Sequence, residues 1–307
     1  MENLENLDWK KGLWRLADPK ISLASLASIF LGACAAAYSG PLSTSWLVVT
    51  LFGVFCVEVA KNASGEIYDF QSGTDLLIAP EDRTPFSGGK RVLVDGLLTK
   101  RQTVTIACLA YGSGILLGLI IVVLRNPDVL WLGVFGTAAA FFYHAPPLRL
   151  SYRGMGEFTV GLCYGPLICS GTFLVQTGHL HREVVWVSVP LGILIAAFLL
   201  INEFPDYRAD QKVGKRTLVV RLGPERARLL FGVCVGIAFL FLAALPMAGL
   251  PSGVWLGAIA AVPAGLATQT LLRNPLATGR LIPAQKLSLF TFVTYALGSG
   301  IGILVVS

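Results

Sequence analysis

The sequence predicts an all-α, polytopic membrane protein, and three observations support this. Of the 307 residues, 54% are hydrophobic and only 14% are charged, whereas a soluble domain of this size carries roughly a quarter charged residues. The apolar residues form runs of about 17–25, long enough to cross a ~30 Å hydrocarbon core as helices. The sequence has none of the alternating ten-residue segments that are typical of a membrane barrel.

Nine apolar runs are predicted to be transmembrane helices. They cover about 22–38, 44–65, 102–124, 128–144, 155–176, 185–204, 226–247, 251–272 and 286–305. Residues 1–21 are polar and carry Trp9 and Trp14, so we expect an amphipathic segment at the membrane surface rather than a signal peptide, which would need an apolar core near its start. Residues 22–307 then form one membrane domain.

The basic residues are distributed unevenly between the two sides of the predicted bundle. If alternate loops are assigned to one side, all of the 24 Lys and Arg residues except Arg125 and Arg182 fall together. The positive-inside rule then places the N-terminus and the basic loops in the cytoplasm, with the protein in the inner or plasma membrane. This distribution accounts for the net charge of +6 without a nucleic-acid partner.

Two clusters of carboxylates follow apolar runs on this predicted cytoplasmic side. In the second, Asn202, Asp206 and Asp210 are spaced four apart, so on a helix they share one face. In the first, Asn62, Glu66 and Asp69 share a face at i, i+4 and i+7, and Asp75 follows Gly73 beyond the expected helix end. Pro205, between the ligands of the second cluster, removes a backbone donor and can kink the helix.

The chemistry of these clusters favours a hard cation. Carboxylate and amide oxygens on one stripe suit Mg²⁺, and a bound cation would let acidic residues bind a diphosphate that they otherwise repel. Carboxylates near a helix C-terminus are electrostatically unfavourable, which argues for a function. Nearby basic residues are candidates for the diphosphate. They are Arg83, Lys90, Arg91, Lys212, Lys215 and Arg216.

These motifs resemble those of the UbiA superfamily of intramembrane prenyltransferases, which has nine helices around a central cavity. The match is closest at Asn202 to Asp210 and the following Lys212-Val213-Gly214-Lys215-Arg216-Thr217. Within the superfamily the chain is most similar to the 1,4-dihydroxy-2-naphthoate prenyltransferases of menaquinone synthesis. That similarity lies in Tyr68-Asp69-Phe70, in 152–157 and in 165–177.

The resemblance implies a Mg²⁺-dependent transfer of a polyprenyl group from a polyprenyl diphosphate to an aromatic acceptor. The implied catalytic residues are Asp69, Asp75, Asp206 and Asp210. The implied metal ligands are these four with Asn62, Glu66 and Asn202. The implied substrate-binding residues are Tyr68, Tyr143, His144, Tyr152 and Tyr164.

Some positions depart from the family pattern. The family's first motif usually opens Asn-Asp-x-x-Asp, whereas this chain has Gly65 and Glu66 before Asp69. We expect Asn62, one turn earlier, to supply the lost amide. The family often has Arg before Pro19, where this chain has Asp18.

Other functions remain open from the sequence alone. A UbiA-type terpene cyclase would use the same ionisation without an aromatic acceptor, and prenyl transfer to another quinone precursor or to a glycerol phosphate lipid is also compatible. A cation or metabolite transporter would place carboxylates at mid-membrane or on both sides, and the one-sided clusters argue against it. The prenyl chain length and the oligomeric state are not predicted.

Overall fold

The computed structural model describes residues 8–305, and this part of the chain contains helices and turns but no β-strand. The longer helices are α1 (Trp9–Ala17), α2 (Ser22–Ser39), α3 (Thr44–Ser72), α4 (Lys100–Leu124), α5 (Val129–Phe142), α6 (Gly156–Thr177), α7 (Arg182–Val213), α8 (Pro224–Ala248), α9 (Ser252–Arg273) and α10 (Thr278–Val305). Residues 1–7 and 306–307 of the two predicted segments lie outside the described residues. The all-α prediction is confirmed.

Eight helices in the described range, α2 to α4 and α6 to α10, are long and apolar enough to cross a membrane. The remaining predicted span corresponds to α5, whose 14 residues extend only about 21 Å. That length is shorter than the ~30 Å hydrocarbon core. A count of nine crossings therefore stays a prediction.

The N-terminal helix α1 leads into the bundle. The carboxylate of Asp8 caps it by accepting from the Lys11 amide at 3.0 Å. One side of α1 packs against α3, with Leu16 fully buried, while Trp9 and Trp14 are 55% and 66% exposed. Amphipathic aromatic rings favour the membrane interface, but the location of this segment at the membrane surface stays a prediction.

The two helices that carry the carboxylates continue past their apolar runs. α3 extends to Ser72 and α7 to Val213, where Gly73 and Gly214 end them in the left-handed conformation. α7 continues through Pro205, so this proline does not end the helix. The polar residues that follow each apolar run are still helical. The carboxylates therefore belong to continuous helices rather than to loops.

The core of the bundle lies around α7. This helix packs against α6, α8 and α10, and its apolar side chains, such as Leu191, Leu194 and Ile201, are buried. The outer helices α4 and α8 instead expose apolar side chains, including Leu116, Val123 and Leu240. A broad exposed apolar surface of this kind requires a nonaqueous environment.

Candidate active site

The carboxylates of α3 and α7 face one cavity of about 580 Å³ at the end of the bundle where both helices terminate. All seven predicted metal ligands line it: Asn62, Glu66, Asp69, Asp75, Asn202, Asp206 and Asp210. The two motifs are about 130 residues apart in sequence, so only the fold brings them together. The cavity is closed on one side by the end of α1 and on another by the segment 74–91.

The side chains of the α3 motif are held by hydrogen bonds. Asn62 Nδ2 donates to the Leu16 carbonyl at 2.8 Å, and Glu66 Oε1 accepts from the Leu93 amide at 2.7 Å. Asp69 Oδ1 accepts from the Tyr152 hydroxyl at 2.6 Å. These bonds fix α1 and the segment after α3 to the helix, so this motif organises the walls of the cavity.

The side chains of the α7 motif have fewer partners. Asp206 Oδ2 accepts from the Gly88 amide at 3.3 Å, while its Oδ1 is buried and has no hydrogen-bond partner among residues 8–305. The buried Oδ1 atoms of Asn202 and Asp210 are likewise without a hydrogen bond in the described chain, although Lys215 Nζ lies 3.7 Å from Asp210 Oδ1. Buried oxygens with no donor are costly unless a ligand satisfies them.

The segment 74–91 crosses the cavity between the two motifs. Gly89 has φ +74° and lies against the Asp75 carboxylate, where a Cβ atom would collide with it. Arg91 Nη1 donates to the Asp75 carbonyl at 2.7 Å. Lys90 forms an ion pair with Asp18, so the acid that replaces the family's usual Arg has a basic partner on this segment.

Electrostatics set the charge state of the groups beside the cavity. Burial, with the nearby carboxylates of Asp69 and Glu66, raises the pKa of Asp75 to about 8. Burial alone would lower the pKa of Lys215, but Asp210, Asp69 and other neighbours raise it well above its usual range. The ammonium of Lys215 is therefore firmly charged, whereas Asp75 keeps its proton up to about pH 8 because of burial and the neighbouring carboxylates.

His144 occupies the space beside Gly65. A Cβ atom added at Gly65 would lie 2.6 Å from His144 Cε1, so the glycine is required by the imidazole next to it. His144 Nε2 lies 3.7 Å from Asp69 Oδ2. Burial, aided by the ammonium groups of Lys215 and Lys61, lowers the pKa of His144 to about 4 although Asp69 opposes this, so the imidazole is neutral.

The predicted diphosphate-binding residues divide into two groups. Arg83, Lys90, Arg91 and Lys215 line the cavity. Lys212 and Arg216 are exposed and do not line it. Lys212 lies two residues after Asp210 on α7 and therefore on the opposite face of the helix, whereas Arg216 follows the turn at Gly214. The guanidinium of Arg91 is engaged with Asp95 at 3.1 Å as well as with Asp75, which leaves Arg83 and Lys215 as the better placed cations.

Only some of the predicted substrate-binding residues line the cavity. Tyr143, His144 and Tyr164 line the cavity. Tyr152 does not line it but donates a hydrogen bond to Asp69, which does. Tyr68 does not line it. Burial, together with Asp69, raises the pKa of Tyr152 to about 12, so its hydroxyl remains a donor.

A second cavity of about 190 Å³ adjoins the first and is lined mainly by apolar side chains of α3 to α6. Four residues line both cavities: Lys61, Tyr143, Val160 and Tyr164. Sequence reasoning did not select Lys61 or Glu203 for the site, although both line the larger cavity. Both are charged residues within predicted apolar runs, and this pattern could have identified them as candidate site residues.

Within residues 8–305, no three His, Cys, Asp or Glu side chains are close enough together to hold a metal ion by themselves. The donor set nevertheless fits Mg²⁺, which commonly binds through one or two carboxylates and completes its shell with water and substrate phosphates. The unpaired oxygens of Asn202, Asp206 and Asp210 all belong to one helix and face the same cavity. They are hard donors of the required type.

A family model described as the UbiA prenyltransferase family matches residues 25–275, which is most of the chain. The chain belongs to this family. It is therefore a prenyltransferase, and with its apolar helices it is an integral membrane protein. The matched range contains both carboxylate motifs.

Individual relatives agree with this assignment. The chain is 27% identical over 240 residues to a 1,4-dihydroxy-2-naphthoate octaprenyltransferase of Bacillus subtilis, covering 78% of this chain and 75% of the relative. Its fold is similar to that of a UbiA homolog from Aeropyrum pernix K1, with a TM-score of 0.69, 21% identity and 91% and 96% of the two chains covered. A UbiA homolog from Archaeoglobus fulgidus, bound to GPP and Mg²⁺, has a TM-score of 0.61, 15% identity and coverage of 94% and 99%.

Proposed function

We propose that this prenyltransferase joins a polyprenyl diphosphate to an aromatic acceptor, with 1,4-dihydroxy-2-naphthoate as the acceptor in menaquinone synthesis. The central observation is that two carboxylate motifs face one cavity, and that an apolar cavity lies beside it and shares four of its lining residues. The first offers a place for a diphosphate and the second a place for a hydrocarbon chain. The acceptor is suggested by the similarity to the Bacillus subtilis enzyme.

We further propose that the diphosphate binds with Mg²⁺ between α3 and α7. A homolog of the same fold from Archaeoglobus fulgidus binds GPP and Mg²⁺. Asp206, Asp210 and Asn202 would hold the ion with Asp69, Asp75, Glu66 and Asn62 around the same cavity. When bound, Mg²⁺ supplies positive charge that stabilises the departing diphosphate.

The protein's own side chains then have distinct tasks. Arg83 and Lys215 contact the phosphate oxygens and stabilise the negative charge that develops on them. The allylic carbon–oxygen bond breaks and pyrophosphate leaves with the electron pair. A ring carbon of the acceptor attacks the allylic cation, and loss of the ring proton restores aromaticity.

The apolar cavity protects this chemistry. Water would capture the allylic cation, so a dry environment is required. The side chains of α3 to α6 exclude water and pack against the prenyl tail. The faces of Tyr143 and Tyr164, where the two cavities meet, are placed to stabilise a cation.

The proposed orientation has the N-terminus and the larger cavity on the cytoplasmic side. The basic residues concentrated at this end support it. Cysteine labelling at Lys286 and at Asp128, in inverted and right-side-out vesicles, tests the assignment, since the two exposed positions belong to opposite predicted sides.

The activity is tested with purified protein, Mg²⁺, a labelled polyprenyl diphosphate and 1,4-dihydroxy-2-naphthoate. Both pyrophosphate and the prenylated product are measured. We expect product that requires Mg²⁺ and acceptor, that is lost in Asp206→Asn and that is retained in Asp128→Asn, a matched change at an exposed residue outside the cavities. Pyrophosphate release to a hydrocarbon or alcohol without acceptor would instead identify a cyclase.

A further inference from the structure

Lys61 lies where the polar and apolar cavities meet. It belongs to the apolar part of α3 and lines both cavities, together with Tyr143, Val160 and Tyr164. A lysine at such a place is costly, because an ammonium group inside a membrane protein loses its hydration. The mechanism described above gives it no task.

The ammonium group of Lys61 has little direct compensation from the protein. Its Nζ lies 5.8 Å from the ring centres of both Tyr143 and Tyr164, but it forms no hydrogen bond or ion pair within 4.0 Å in the described part of the chain. Glu58, one turn earlier on α3, is the nearest source of opposite charge. That carboxylate accepts from Ser25 through Oε2 at 3.0 Å, and its Oε1 is buried without a hydrogen bond in the described residues, so Glu58 offsets only part of the ammonium charge from beyond 4.0 Å.

The Lys61 ammonium therefore has three donors available to a ligand. We propose that Lys61 binds the carboxylate of an aromatic acceptor at the junction of the two cavities and thereby selects acidic acceptors. The acceptor ring would lie near Tyr143 and Tyr164, which line the same junction. This inference rests on the proposed function, because it identifies the acceptor position for that reaction.

The donor diphosphate is a poorer fit for Lys61. Lys61 precedes Asp69 by eight residues on one helix, which places it about 12 Å further along the axis. Asn62 is the nearest candidate ligand along the chain, but its side-chain amide donates to Leu16. A diphosphate bound near Asp69, Asp206 and Asp210 would therefore not reach Lys61. Lys61 would be free to bind a different anion deeper in the protein.

The charge balance of the reaction gives a second reason for an acidic acceptor. The allylic cation forms at the carbon that leaves the diphosphate, and an ammonium group facing it from the junction would raise its energy, since charges interact over longer distances in a medium of low dielectric constant. A carboxylate bound to Lys61 removes the repulsion. Ionisation of the donor should therefore depend on the acceptor being present.

The test compares two acceptors that differ only in the carboxylate, 1,4-dihydroxy-2-naphthoate and 1,4-dihydroxynaphthalene. For the wild-type protein we expect a preference for the acid and acceptor-dependent release of pyrophosphate. In Lys61→Met, the KM for the acid should rise by about tenfold or more, as expected for loss of a charge-assisted hydrogen bond, while the KM for the diol changes little. Lys286→Met, which removes a charge at an exposed position of α10, should keep the preference.

The outcomes separate this inference from the proposed function. If the wild-type protein prenylates neither acceptor, the proposed function fails. If the wild-type protein prenylates the acid, and the Lys61→Met variant still prefers the acid to the diol, Lys61 does not bind the acceptor carboxylate. Binding of the prenyl diphosphate checks that each variant is folded. Should Lys61→Met not fold, Lys61→Gln serves the same comparison, and Lys61→Arg should retain the preference.

Discussion

The carboxylate motifs at the ends of α3 and α7 resemble each other in sequence, but their side chains have different surroundings. On α3, Asn62, Glu66 and Asp69 each form a hydrogen bond of 2.6–2.8 Å with another part of the chain. On α7, the facing oxygens of Asp206 and Asp210 are buried and lack hydrogen-bond partners in residues 8–305. The comparison indicates that α3 organises the cavity and that α7 offers more of the free ligand atoms.

The largest effect should follow from Asp206→Asn. The substitution keeps size and the acceptor for the Gly88 amide but removes a charge from a free ligand oxygen. We expect kcat to fall by about 10²–10³-fold, as when one major transition-state contact is removed. Thermal unfolding in detergent should change little, because asparagine keeps the size of the side chain and the acceptor for the Gly88 amide. A variant with near-normal kcat would place the ligand role on α3 instead.

Tyr152→Phe should have the next largest effect. The tyrosine hydroxyl donates to Asp69 at 2.6 Å and also lies 2.9 Å from Ser72 Oγ. A hydrogen bond to a charged group contributes about 1.5–3 kcal/mol, so we expect a loss of at least tenfold in kcat/KM. The Mg²⁺ concentration needed for half-maximal activity should change as Asp69 loses its orientation. An unchanged Mg²⁺ dependence would mean that Asp69 does not need this partner.

Gly65→Ala tests the packing of the α3 motif. The added Cβ would press against His144, and overpacking of a buried position costs about 1–3 kcal/mol. The unfolding temperature should therefore fall, and Gly65→Ala with His144→Ala should recover much of the loss. Equal instability of the single and the double variant would show that His144 is not the residue that requires glycine at this position.

The sequence predicted the helical class, seven cavity-lining polar residues and the end of α3 at Gly73. It did not predict that Lys212 and Arg216 would lie outside the cavity, because this depends on α7 continuing to Val213, which puts Lys212 on the face opposite Asp210, and on the turn at Gly214 before Arg216. It also did not predict that His144 fills the space beside Gly65, because this contact joins segments almost 80 residues apart. The difference in hydrogen bonding between the two motifs could not be predicted either, since it depends on contacts with α1, with the segment after α3 and with Tyr152.

Glu66→Gln should have the smallest effect and gives the sharpest contrast with Asp206→Asn. Both substitutions replace a buried carboxylate by an amide of similar size. The amide oxygen of the introduced glutamine can still accept from the Leu93 amide, which is the bond that Glu66 makes through Oε1. If organising this segment is the main task of Glu66, kcat/KM should fall by only a few-fold, corresponding to less than about 1 kcal/mol. Glu66 Oε2 is buried without a hydrogen bond in the described residues. A loss as large as that of Asp206→Asn, with a matching rise in the Mg²⁺ requirement, would therefore show that this second oxygen is a ligand and that the two motifs contribute alike.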